Sequence, residues 1–94
     1  MYNIRVPDLK NLPGWKYNSR QKFIYADYTL TGFTSAVHTI NKIAKLADKA
    51  DHHPDIHLTN YKKLRIVLTS HDVGRVTGRD IRLAGQIQKI LSIT

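Results

Sequence analysis

Three of the five histidines in this 94-residue chain stand where a side chain can be aimed at a ligand. His52 and His53 are adjacent, precede Pro54 and follow a stretch of helical periodicity, and His71 closes a stretch of strand-like alternation. Sites are commonly built at the ends of regular elements, where a rigid scaffold fixes the side chain and the loop leaves it accessible. An imidazole has an unperturbed pKa of about 6.5, so its acid and base forms coexist near neutrality, and two of them can deliver and remove a proton in one turnover. Such catalysis is worth about 10²–10⁴ in rate. Asp48 lies one helical turn before His52, and at that spacing its carboxylate is expected to reach an imidazole at the helix end and fix its tautomer. Ser70 precedes His71, but neighbours in a strand point to opposite faces, so no Ser–His nucleophile pair is expected.

Taken singly, each histidine also reads as an ordinary polar loop residue; the set is what suggests a site. His52, His53, His57, Asp51 and Asp55 are all metal-ligand types, but their spacing matches no established metal signature and no metal is expected. His38 falls in mid-helix, off the apolar stripe, and reads as a surface or interface residue. Asp80 fits a helix cap better than a catalytic role. Tyr61 has a ring that could stack on a flat ligand, although a strand tyrosine more often packs.

The elements that must position these residues follow from periodicity. Residues 8–12 can form one helical turn, and residues 15–18 can start a strand. Residues 21–30 alternate, with Ile24, Ala26, Tyr28 and Leu30 on one face and Phe23 and Tyr25 on the other. Phe33, Ala36, Val37, Ile40, Ile43, Ala44 and Ala47 recur at helical spacing, with Thr31 or Thr34 able to supply the N-cap and Pro54 ending the helix near Asp51. Strands are expected over 56–61 and 64–70, joined by a hairpin turn, with Leu64, Ile66 and Leu68 opposite Arg65, Val67 and Thr69. Thr77 to Asp80 forms a capping box with Asp in place of Glu, and the last helix carries Ile81, Ala84, Ile87, Ile90 and Leu91. Two strand pairs separated by a helix and followed by another predict one α+β domain over residues 1–94, a four-stranded antiparallel sheet with helices packed on one face.

Composition narrows the setting. The chain has no cysteine, which excludes disulfides and thiolate metal sites. Its longest apolar runs fall far short of the roughly 20 residues of a spanning helix, and its first residues do not read as a signal peptide, so a cytoplasmic location without membrane contact is expected. The net charge of +8 admits a nucleic-acid partner. The basic residues are scattered, however, the tightest groups being Lys62, Lys63 and Arg65, then Arg75, Arg79 and Arg82.

The run Asp48-Lys-Ala-Asp51-His52-His53-Pro54, followed by Tyr61, His71-Asp72 and Asp80, resembles the signature of the pterin-4a-carbinolamine dehydratases. Leu12-Pro-Gly-Trp15, the stretch from Tyr28 to Asp51 and the segment from Val76 to Asp80 are similar to other parts of that family. The resemblance implies a hydro-lyase that converts a 4a-hydroxytetrahydropterin to a quinonoid dihydropterin and water, without a bound cofactor because the pterin is the substrate. It places His52, His53 and His71 around the pterin. The reaction needs one proton delivered to the leaving 4a-hydroxyl and one removed from N5; His52 and His71 are assigned to these two tasks in unspecified order, and His53 to orienting the ring. Asp48 would orient an imidazole, and Asp51, Pro54, Ser70 and Asp72 would be pocket neighbours. Family likeness also implies a homodimer or homotetramer. The competing expectation is a non-catalytic dimeric module that contacts an acidic protein or nucleic acid. Ile56 departs from the family's frequent Trp, and Gly74-Arg75-Val76 from its Gly-Gly-Leu.

Overall fold

A computed structural model describes residues 7–92. The elements are β1 (Trp15–Asn18), β2 (Phe23–Thr29), α1 (Phe33–Ala50), β3 (Asp55–Thr59), β4 (Lys63–Leu68) and α2 (Gly78–Ser92). The strands form one antiparallel sheet in the order β1-β2-β4-β3. The architecture is the α+β arrangement that the periodicity predicts. The pairing puts β4 in the interior of the sheet, between β2 and β3, although it is the last strand in sequence.

Side-chain alternation decides which face is buried. Ile24, Ala26 and Tyr28 register against Leu68, Ile66 and Leu64, and Ile56 and Leu58 of β3 face Ile66 and Leu64 from the other side. All of these except Leu58 share a core with Ile43 of α1 and Leu83, Ala84 and Ile87 of α2. Trp15 is buried and its indole N–H donates to Gln88 Oε1 at 3.1 Å, which ties β1 to α2. Burial also raises the Tyr28 phenol above its usual pKa. On the opposite face, Phe23 and Tyr25 meet edge to face with centroids 5.9 Å apart, and the Arg65 guanidinium lies 4.7 Å from the Tyr25 ring centroid. Arg65 also donates twice to Asp27, at 2.7 and 2.9 Å, and holds that carboxyl below the usual range.

The helices differ from their sequence expectation in which residues face inward. The expected α1 stripe is wider than the contact it makes. Ala36, Thr39, Ile43 and Ala47 form the buried seam, while Phe33, Val37 and Ala44 turn to the exposed side, Phe33 being 58% exposed. Thr39 can enter the seam because its hydroxyl donates to the Ser35 carbonyl at 2.9 Å and is not left unsatisfied. The N-cap is Gly32 rather than Thr31 or Thr34. Ser35 Oγ accepts the Gly32 N–H at 3.1 Å and lies 2.9 Å from the Thr31 hydroxyl that donates to it. In α2, Leu83 joins Ala84 and Ile87 in the buried set, and Ile81 and Leu91 are partly buried against it.

Strand limits also shift: β4 runs Lys63–Leu68 rather than 64–70, so Ser70 and His71 lie beyond its end. Lys22 has a φ of 62°, so β2 starts after it, and Asn60 and Tyr61 at φ 47° and 50° form a left-handed hairpin turn that ends β3 at Thr59. Ile66 sits at the centre of the buried face with no exposed surface. Ile66→Ala is expected to cost about 2–5 kcal/mol, read as a lower urea midpoint with an unchanged slope.

Candidate active site

The first histidine pair is placed by the way α1 ends. Asp51 adopts a left-handed conformation (φ 51°, ψ 41°), its N–H bonds the Asp48 carbonyl at 3.2 Å, and the His52 N–H bonds the Ala47 carbonyl at 3.1 Å. This is a Schellman closure, which satisfies the last carbonyls and swings the chain off the helix axis. Because the helix stops there, its one-turn spacing does not carry through to His52. Asp48 instead meets His53, at 2.9 Å between Oδ1 and Nε2, and both of these side chains are largely exposed.

His52 turns inward and finds a different carboxylate. Its side chain is 10% exposed, and its Nε2–H donates to Asp80 Oδ1 at 2.5 Å. Asp80 has no exposed surface. Its other oxygen, Oδ2, accepts the Ser70 hydroxyl at 2.7 Å and the Thr77 backbone N–H at 2.9 Å. Since the Ser70 proton is committed to Asp80, the Thr77 hydroxyl donates to Ser70 Oγ, at 2.7 Å. The capping box of α2 is therefore half formed: Asp80 takes the Thr77 N–H, but the Thr77 hydroxyl serves Ser70. One buried carboxylate joins the end of α1, the segment after β4 and the start of α2. It also fixes the His52 tautomer, because a ring whose Nε2 carries the bonded proton keeps Nδ1 as its free nitrogen. The Thr-x-x-Asp spacing shows Asp80 as a cap in the sequence; its bond to His52 spans too many residues to be read from any local period.

Ser70 is fully buried and His71 exposed, both beyond the end of β4, with Ser70 in an isolated bridge and His71 in the turn that follows. The turn after them is held by the Ser70 carbonyl, which accepts from Val73 and Gly74 at 3.2 and 2.9 Å, and by a Ser70–Arg75 bridge. His71 lines a cleft of about 590 Å³ on the outer sheet face with Phe23, Asp55, His57 and Arg65. His52 lines another cavity, of about 230 Å³, with Arg79 and Arg82. Asp72 accepts from Arg79 Nη2 at 2.6 Å, and this bond holds its carboxyl below the usual range. Pro54 is half-buried, Asp51 is exposed, and His38 is exposed on α1. Tyr61 stands exposed at the hairpin tip with the Lys62 ammonium 5.4 Å from its ring centroid. Among the described residues no three His, Asp or Glu side chains are grouped to hold a metal ion.

The two carboxylates predict different variants. Asp80→Asn removes the charge and turns one of the two acceptor oxygens into a donor, so either His52 or the Ser70 and Thr77 donors lose their partner; it is expected to lower any His52-dependent rate by about 10²-fold or more, with a lower melting temperature. Asp48→Asn, at an exposed pair, is expected to leave the melting temperature within a degree or two. Asp51 holds a left-handed conformation that glycine adopts without strain, so Asp51→Gly is expected to stabilise the fold by about 0.5–1 kcal/mol, measured by chemical denaturation.

Residues 5–90 match the family model described as pterin 4 alpha carbinolamine dehydratase. A Koribacter versatilis protein, itself provisionally assigned as a pterin-4-alpha-carbinolamine dehydratase, is 42% identical over 82 residues, covering 87% of this chain and 84% of the relative. An Aquifex aeolicus protein with the same provisional assignment is 33% identical over 84 residues, covering 89% and 82%. The crystal structure of a Brucella melitensis transcriptional coactivator/pterin dehydratase superposes with a TM-score of 0.82 at 28% identity, over 87% of this chain and 86% of that one. A pterin dehydratase-like RuBisCO assembly factor of the α-carboxysome shares the fold, with a TM-score of 0.68 at 12% identity over 82% and 88% of the chains. With a family model spanning nearly the whole chain and relatives above 30% identity, this chain belongs to the pterin 4 alpha carbinolamine dehydratase family.

Proposed function

We propose that the protein dehydrates a 4a-hydroxytetrahydropterin, such as 4a-hydroxytetrahydrobiopterin, to quinonoid dihydropterin and water, and so returns a tetrahydropterin cofactor to use. The observation that carries this reading is the His52–Asp80 bond at 2.5 Å within a family of dehydratases. In the reaction the C4a–O bond breaks, the hydroxyl leaves as water with an added proton, N5 loses its proton, and a C4a–N5 double bond forms. A histidine whose Nε2–H is tied to a buried carboxylate offers Nδ1 as a proton donor or acceptor in fixed orientation. We assign His52 and His71, which line separate cavities of the described chain, to the two proton-transfer tasks in unspecified order, and His53, braced by Asp48, to orienting the ring. Ser70 acts through Asp80 and Asp72 through Arg79, as positioning groups. Asp51 and Pro54 shape the approach. No metal or resident cofactor takes part.

The setting we assign is the cytoplasm; no helix among the described residues is long and apolar enough to cross a membrane. β1 and β3 are the two edges of the sheet, and Phe33 and Val37 are exposed on α1, so association into a homodimer or homotetramer is part of this reading. A second reading is a binding module: the Brucella relative is described as both a transcriptional coactivator and a pterin dehydratase, and the net charge of +8 suits an acidic protein or nucleic acid.

A stopped-flow assay separates the two. The 4a-hydroxytetrahydropterin is generated by a hydroxylase, and its ultraviolet decay is followed with and without the protein. Decay is expected to accelerate with wild type, to slow by about 10²–10⁴-fold in His52→Ala and in His71→Ala, and to reach the spontaneous rate in the double variant. A folded wild type that leaves the spontaneous rate unchanged would rule out the enzyme and favour the binding module.

A further inference from the structure

The basic group at Arg75, Arg79 and Arg82 has no use in handling a neutral pterin, yet two of its members converge on His52. Ala50, His52, Arg79, Arg82, Leu83 and Gln86 line the cavity of about 230 Å³ between the end of α1 and the first turns of α2. Arg79 is anchored by Asp72 through Nη2 at 2.6 Å, which leaves the other donors of its planar fork available. Arg82 has no carboxylate within ion-pair distance among the described residues. It lies back over Gly78, where a Cβ would come within 3.2 Å of its Nη1, so the glycine makes room for the guanidinium. Both arginines stand near the positive end of α2, where the helix macrodipole disfavours cations. Arg82 without an internal counter-ion, and the donors of Arg79 that Asp72 leaves over, share a cavity that also contains a candidate acid–base group, and an oxyanion is the ligand whose geometry fits such donors.

The substrate's own chemistry says where such an anion would come from. C6 and C4a of a pterin are the two ring neighbours of N5, so a side chain that serves either the 4a-hydroxyl or the N5 proton lies near the C6 substituent. From this juxtaposition of His52 with Arg79 and Arg82 we infer that the cavity receives an oxyanion carried on the C6 tail, a phosphate monoester or a carboxylate, and that the protein prefers anionic-tailed pterins to neutral ones. The inference rests on the pterin reading of the site and deepens it.

The test compares three stable 7,8-dihydropterins whose C6 tails end in a neutral hydroxyl, a phosphate or a carboxylate. Their binding to the full chain is measured by calorimetry, and turnover of the three matching 4a-hydroxytetrahydropterins is measured alongside. At least one anionic tail is expected to bind about tenfold or more tightly than the neutral one, with an advantage that shrinks as salt rises. Arg82→Gln should bring the anionic-to-neutral ratio close to one, Arg82→Lys should keep part of it, and Lys42→Gln, on the exposed side of α1, should leave it unchanged. Reading a ratio within each variant removes any general effect on folding. Equal affinity for all three ligands in wild type overturns the inference, as does a ratio that survives Arg82→Gln. Discrimination without turnover of any ligand leaves the anion site standing and removes the dehydratase reading, whereas turnover of the neutral pterin without discrimination does the reverse.

Discussion

A carboxylate buried without exposed surface is tolerated only if its charge and lone pairs are met from within, and Asp80 meets that condition by joining segments that are distant in sequence. His52 comes from the end of α1, Ser70 from the segment after β4, and the Thr77 N–H from the start of α2. Each of these donors is itself held, His52 by the helix closure and Ser70 by the bridge to Arg75. Removing the carboxylate would leave a buried imidazole, a buried hydroxyl and a helix end without their acceptor, while removing any one donor leaves the carboxylate under-satisfied. The geometry of the candidate site and the docking of α2 are thus one constraint.

The rest of the fold supplies the frame for that junction. Alternation along β2, β3 and β4 sends Ile24, Ile56 and Ile66 to the same side, and the helices cover it. The outer face uses its polar residues on one another. Arg65 commits its fork to Asp27 and its plane to Tyr25.

Most of this frame is legible in the sequence because it rests on short periods. The strands, both helices and the inward residues of β2 and β4 all follow from spacings of two to four residues. The partner of His52 does not. An i to i+4 argument pairs Asp48 with His52 only while the helix continues, and the left-handed Asp51 breaks the helix one residue too soon. Asp80 is legible as a cap but not as a histidine partner, since that contact depends on how β4 inserts beside β2. The exposure of Phe33 and Val37 is hidden for a related reason. Periodicity marks a broad apolar stripe, and only the neighbouring helix decides which part is covered; a threonine that can bond its own helix takes a place in the seam.

The position of β4 has a consequence for how the protein is made. A chain emerging from the ribosome presents β1, β2 and α1 first, but β2 has no second neighbour until residues 63–68 are available to insert beside it. The acceptor for His52 emerges later still, at the head of α2. A nascent chain therefore carries both adjacent histidines well before it can orient the buried one. The orientation of His52 and the completion of the core therefore arrive together. The same ordering makes the long-range β pairing the slow event in folding, and it gives a probe of His52 orientation the standing of a reporter on the whole domain.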